Sequence, residues 1–148
     1  MRLAAFRTGA AAWIFTGLVH DILELTLSGD PGLNEAMRAS EIRVGPFSLD
    51  AEMLNRGVSL SMGWAMITVG VLLWMIASSF KNERERLRPF GIAALAASVG
   101  TLALAAVLIP GPPLVTFTVA VVAFIAALAK KDDPAAEPRE QPVAPAGG

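Results

Sequence analysis

The chain has 148 residues, 54% of them apolar and 17% charged, with a formal net charge of −1. With no basic surplus there is no electrostatic case for nucleic acid as a partner. The absence of Cys excludes disulfides, thiolate metal sites and Cys nucleophiles, and a single His excludes a multi-histidine metal centre within one protomer.

The charges are clustered and long stretches carry none, which is the pattern of a membrane chain. Residues 9 to 27 (GAAAWIFTGLVHDILELTL) are long enough to cross a hydrocarbon core of ~30 Å at ~1.5 Å per residue. Arg2 and Arg7 ahead of this run give it the look of a signal peptide. No small-x-small cleavage site follows, so the run is expected to remain as an uncleaved first span.

Residues 28 to 55 form the long polar connection. Asp30-Pro31-Gly32 is a turn signal, and Pro31 suits the first turn of a helix. Leu33, Ala36, Met37, Ile42 and Val44 alternate with Glu35, Arg38, Glu41 and Arg43. That pattern predicts a short amphipathic helix on the membrane surface or over the bundle, broken by Gly45-Pro46. Ser48-Leu49-Asp50 can cap the next helix.

Residues 57 to 80 and 90 to 109 carry no charge and predict the second and third spans. The charged segment KNERERLRP, residues 81 to 89, joins them. It is expected to set topology, with contact to anionic lipid headgroups as the alternative. Pro110-Gly111-Pro112-Pro113 breaks the helix. Residues 114 to 129 predict a short fourth span, where Val and Thr adopt helix because backbone groups in lipid must bond internally. The Pro- and Ala-rich residues 131 to 148 predict a disordered cytoplasmic tail. The expected fold is all-α: a four-helix transmembrane bundle over residues 1 to 130, with a short amphipathic outer-loop helix.

Orientation follows from the basic residues beside the spans. Arg2, Arg7, Lys81, Arg84, Arg86, Arg88, Lys130 and Lys131 flank one side. Only Arg38, Arg43 and Arg56 flank the other. This predicts a multi-pass protein of the cell membrane (a bacterial inner membrane) with both termini cytoplasmic and the residue 28 to 55 loop outside.

The strongest anomaly is His20-Asp21-x-x-Glu24 in the first span. His20 and Glu24, four apart, share a helix face. Ionisable groups cost roughly 2.5 to 3.5 kcal/mol each at the membrane centre, so they tend to face the bundle interior. If the span starts near Gly9, His20 lies ~17 Å and Glu24 ~23 Å along it; if near Leu3, with Arg7 snorkelling, all three sit at the outer interface. One reading has His20 and Glu24 pairing with each other or with Arg38, Arg43 or Arg56 to lock the loop onto the bundle. A second has an outward polar pocket with Glu24 as acid or base and His20 as its partner. A third makes His20 a haem ligand, with its counterpart in a second protomer or with Met62 or Met66. No cofactor or metal is expected on the leading reading.

Small residues in the second span suit close helix approach: Gly57 with Ser61, Ser59 with Gly63, and Gly70 seven further on. Ala96 with Gly100 and Ala123 with Ala127 repeat the spacing. Packing within the bundle is the plain reading and a homodimer the alternative. Ser59, Ser61 and Thr68 can also hydrogen-bond to the first span near His20.

With Gly17-x-x-His20, the polar outer loop and the SLSMGW stretch from Ser59 to Trp64, the first half of the chain resembles a group of small, uncharacterised bacterial four-helix integral membrane proteins. The resemblance implies the fold and no activity. Small multidrug-resistance transporters also carry a key Glu in the first of four helices, but lack so long an outer loop and have a Tyr-bearing helix without counterpart here. The His20/Glu24 spacing is similar to emopamil-binding sterol isomerases, whose further intramembrane acids are missing. The expected role is therefore non-enzymatic: an accessory or structural membrane subunit meeting lipids, another membrane protein or a second copy. The rivals are a proton-coupled small-molecule transporter using Glu24 and a membrane-embedded isomerase or lipid-modifying enzyme using His20 and Glu24.

Overall fold

A computed structural model describes residues 1–83, 85–108 and 111–129. Among these, the elements run α1 (Leu3–Thr26), α2 (Pro31–Arg38), β1 (Glu41–Val44), β2 (Phe47–Asp50), α3 (Ala51–Ser79), α4 (Arg88–Leu108) and α5 (Pro112–Leu128). The fold is all-α apart from the small β1/β2 hairpin. α3 and α4 are each long and apolar enough to cross a membrane, and α1 with α2, bent by 86°, makes a third candidate if taken as one span. α5 is a shorter apolar helix. The tail expected over residues 131 to 148, and Pro110 of the predicted breaker, lie outside the described residues.

The helices begin where local chemistry starts them. The α1 backbone has no side-chain cap at Arg2; instead the Arg2 N–H donates to the Ala127 carbonyl at 2.9 Å, tying the start of α1 to the end of α5. This start lies well before the expected Gly9, so Arg7 belongs to the helix. Asp30 caps α2 by accepting from the Leu33 N–H at 3.0 Å, with Pro31 in the first turn. Asp50 caps α3 through the Met53 N–H at 2.7 Å, so α3 begins at Ala51, ahead of the expected residue 57.

The expected amphipathic helix stops at Arg38, and Ile42 and Val44 lie instead in β1. The hairpin pairs Val44 with Phe47 across Gly45-Pro46. Gly45 has φ +60, and a tight hairpin turn with positive φ at its first central residue favours Gly there. A period-two alternation bounded by Gly-Pro is strand chemistry, and in this segment it prevailed over the helical pattern.

α1 is the central helix. It packs along α3 on one side and α5 on the other, and α4 packs on α5. The pairings run in opposite directions along the chain: Phe6 meets Phe124 and Trp13 meets Phe117, each edge to face at 5.4 and 5.1 Å between ring centroids. Those aromatics form the buried core with Ala77, Ala94 and Ala120. Facing α1, the buried residues of α3 are Gly63, Gly70 and Ala77, at a seven-residue repeat. Such a repeat keeps one seam facing a partner crossed at roughly 20°. α3 and α4 are joined near their connection by stacked Phe80 and Phe90 rings, 6.3 Å apart, but form no interface comparable to the others. The gap between them is a cleft of ≈ 400 Å³.

Candidate functional site

The site lies at the hairpin end of α1. Two polar side chains of α1 converge on one hydroxyl of α3. His20 Nε2 lies 3.0 Å from Ser59 Oγ and 3.1 Å from the Ser59 carbonyl oxygen. The Ser59 hydroxyl donates to Glu24 Oε2 at 2.8 Å. A carbonyl can only accept, and the one Ser59 proton is committed to Glu24, so the arrangement assigns the proton to His20 Nε2. Ser59 is thus a bridge: it accepts from His20 and donates to Glu24, joining two turns of α1 to α3.

Asp21 does not join them. Its carboxylate lies against Gly63, and its Oδ1 is buried with no hydrogen-bond partner among the described residues. The adjacent turn is closed: a Cβ at Gly17 would lie 2.5 Å from the Gly63 carbonyl oxygen, so the two backbones are already in contact.

His20 and Glu24 form part of the wall of a vestibule of ≈ 640 Å³, together with Arg38, Glu52, Asn55 and Arg56 from α2 and α3. The expected pairing of His20 or Glu24 with loop arginines is not what the structure has. Arg38 binds Glu52 in a two-pronged pair, with Nη2 to Oε1 at 3.0 Å and Nε to Oε2, and Arg43 pairs with Glu41 at 3.4 Å. The Arg38 guanidinium holds the Glu52 carboxyl below the usual carboxylate range, and Glu52 in turn raises Arg38. Among the described residues Arg56 makes no ion pair.

His20 also borders two further spaces. One of ≈ 160 Å³ lies against Leu23, Pro113 and Thr116, and the other is the α3/α4 cleft, walled by Trp13, Met62, Met66, Leu104 and Phe117. The two methionines weighed as haem partners therefore share a cleft with His20, whose Nε2 is engaged by Ser59.

The small residues of α3 divide. Gly63 and Gly70 are buried against α1, whereas Gly57 faces open space and Ser61 is exposed, bonding to the Gly57 carbonyl at 2.7 Å. Thr68 likewise bonds within its own helix, to the Trp64 carbonyl at 2.9 Å. Gly100 faces open space, and Ala123 and Ala127 are buried. A buried bond that sequence reasoning missed joins α1 to α4: Trp13 Nε1 donates to Ser98 Oγ at 2.9 Å. Its signal was the one Ser of a stretch whose only other hydroxyl is Thr101.

No known protein family, curated protein or solved structure matches this chain.

Proposed function

We propose that this is a four-helix transmembrane protein with α1, α3 from about residue 57 onward, α4 and α5 as spans, both termini cytoplasmic and the hairpin outside. Its role is that of a non-enzymatic accessory or structural membrane subunit whose receptor surface is the outer vestibule. The observation that carries the reading is the Ser59 bridge. It uses His20 and Glu24 to join two helices, and a His20 Nε2 that already bears its proton offers Ser59 no base. Measured from Leu3, His20 lies ~26 Å and Glu24 ~32 Å along α1, which supports a place at the outer edge of a ~30 Å core.

The chain has no Cys, so single cysteines test the topology. Ser40→Cys is expected to react with a membrane-impermeant maleimide in intact cells, and Asn82→Cys only after permeabilisation. The reverse labelling would overturn the orientation.

A second reading, an enzyme acting on a lipid, is favoured by one observation: His20 and Glu24 share a cavity. It predicts that Glu24→Gln abolishes turnover of an added lipid without loss of fold. The transporter reading predicts loss of a pH-driven flux in the same variant. The haem reading predicts a Soret band in purified protein.

A further inference from the structure

The three spaces around His20 are contiguous in their walls. The vestibule and the small cavity share His20 and Leu23; the small cavity and the α3/α4 cleft share His20 and Pro113. Taken as one path, the three spaces change character along its length. The vestibule carries both charge signs, with Glu24 and Glu52 facing the same space as Arg38 and Arg56. The cleft is apolar, and its rim residues Met62, Leu104 and Leu108 are exposed. A ligand filling this path has a chain at one end and a charged head at the other.

We infer that the path holds one chain and the head of a zwitterionic phospholipid. The inference rests on the four-span reading above, which places the cleft in the hydrocarbon layer and the vestibule at the headgroup level. The choice of head comes from charge. Arg38 and Glu52 satisfy each other, which leaves Arg56 as the vestibule cation without an ion pair among the described residues and Glu24 as a carboxylate with acceptor capacity beyond Ser59. A phosphate diester suits Arg56 and an ammonium a few bonds away suits Glu24. An anionic head without the ammonium would leave Glu24 uncompensated, and a fatty acid would do the same.

Trp13 forms part of the cleft wall, whereas Trp64 and Trp74 are exposed on α3. Fluorescence quenching by lipids brominated on the chain therefore reports occupancy of the cleft. The full chain carrying Trp64→Phe and Trp74→Phe would be reconstituted into bilayers with a minor fraction of brominated phosphatidylethanolamine in unlabelled phosphatidylglycerol, and into the reverse mixture. Quenching of Trp13 is expected to be several times stronger in the first. Arg56→Gln, an exposed change that leaves the helix packing intact, should remove that preference, and Ala65→Phe should reduce quenching in both mixtures by filling the cleft.

Equal quenching in the two mixtures would mean an ordinary annular lipid and would overturn the inference, as would a preference that survives Arg56→Gln. In the wild-type chain Trp64 should be quenched by either lipid. If it is quenched by neither, the membrane reading fails first and the inference with it.

Discussion

Asp21 and Gly63 occupy one space: the carboxylate of α1 sits where a side chain on α3 would otherwise stand, and a Cβ at Gly63 would overlap Oδ1. The glycine is therefore matched to that acid. Gly63→Ala should lower stability by about 1–3 kcal/mol through overpacking. In an Asp21→Ala background the same change should cost less than half as much. Unfolding in mixed micelles, followed by Trp fluorescence, gives both values. Equal costs in the two backgrounds would show that Gly63 answers to the helix backbone and not to Asp21.

The glycines form a graded series. A Cβ at Gly17 meets the Gly63 carbonyl oxygen at 2.5 Å and the Ile67 nitrogen at 2.9 Å; one at Gly70 meets the Ala10 oxygen and the Ile14 nitrogen, both at 2.8 Å. Backbone cannot rotate away as a carboxylate can. Gly17→Ala and Gly70→Ala should therefore destabilise more than Gly63→Ala in the same assay. Gly57→Ala and Gly100→Ala meet nothing within 4 Å. They should be neutral or stabilising by up to about 1 kcal/mol, the usual helix cost of Gly against Ala.

The Trp13–Ser98 bond is the buried polar link between α1 and α4. Ser98 accepts from Trp13 at 2.9 Å and donates to its own Ala94 carbonyl at 2.7 Å. Ser98→Ala leaves a buried indole N–H without an acceptor and should cost about 1–3 kcal/mol. Trp13→Phe removes the donor, so Ser98→Ala should cost less than half as much in that background. A double-mutant cycle on thermal unfolding in detergent checks this, and an additive result would refute the coupling.

The long helices were legible because long apolar runs, charge-free in α3 beyond Arg56 and in α4 beyond Arg88, leave the backbone little alternative to bonding within itself. The cap of α3 at Asp50 was legible too, from Ser48-Leu49-Asp50; the start of α1 was not, since Arg2 relies on the distant Ala127 carbonyl. The hairpin was hidden by Ile42 and Val44, which fit a helical stripe and an alternating strand equally well over so few residues. At the site, His20, Asp21 and Glu24 stood out because ionisable groups are rare in such a run. Ser59 as a partner of the first span near His20 was also legible, whereas Ser61 and Thr68, expected with it, bond within α3. What sequence could not supply was the exact rotation of α1. That rotation sends His20 and Glu24 to Ser59 and Asp21 to Gly63, with Gly17 against the Gly63 backbone.

The Arg38–Glu52 pair joins α2 to the start of α3 and so holds one wall of the vestibule. Glu52 has a lowered pKa in the folded protein. Its contribution is therefore fully present above the ordinary carboxylate value of about 4.3, and is lost as pH falls through the folded value. The contact is solvent-exposed, so salt should weaken it. Glu52→Gln should remove the acid-dependent part of α2 docking. Hydrogen exchange of the α2 amides, measured at falling pH in both proteins, should show protection declining in the wild type and no matching decline in the variant. Parallel declines would exclude this pair as the cause.

The Ser59 bridge separates a structural role for His20 from a chemical one. If His20 acts as an N–H donor that fastens α1 to α3, a side chain able to donate from a similar reach should replace it. Gln has such an amide. His20→Gln should then retain most of the stability, while His20→Ala should lose about 0.5–1.5 kcal/mol with its hydrogen bond, and Ser59→Ala about 1–3 kcal/mol because it also leaves the half-buried Glu24 carboxylate without its donor. The two losses should not add, since one bridge is broken in both cases. Thermal unfolding of the four proteins and the double variant in one detergent decides it. A His20→Gln protein as unstable as His20→Ala would mean that the imidazole itself is required.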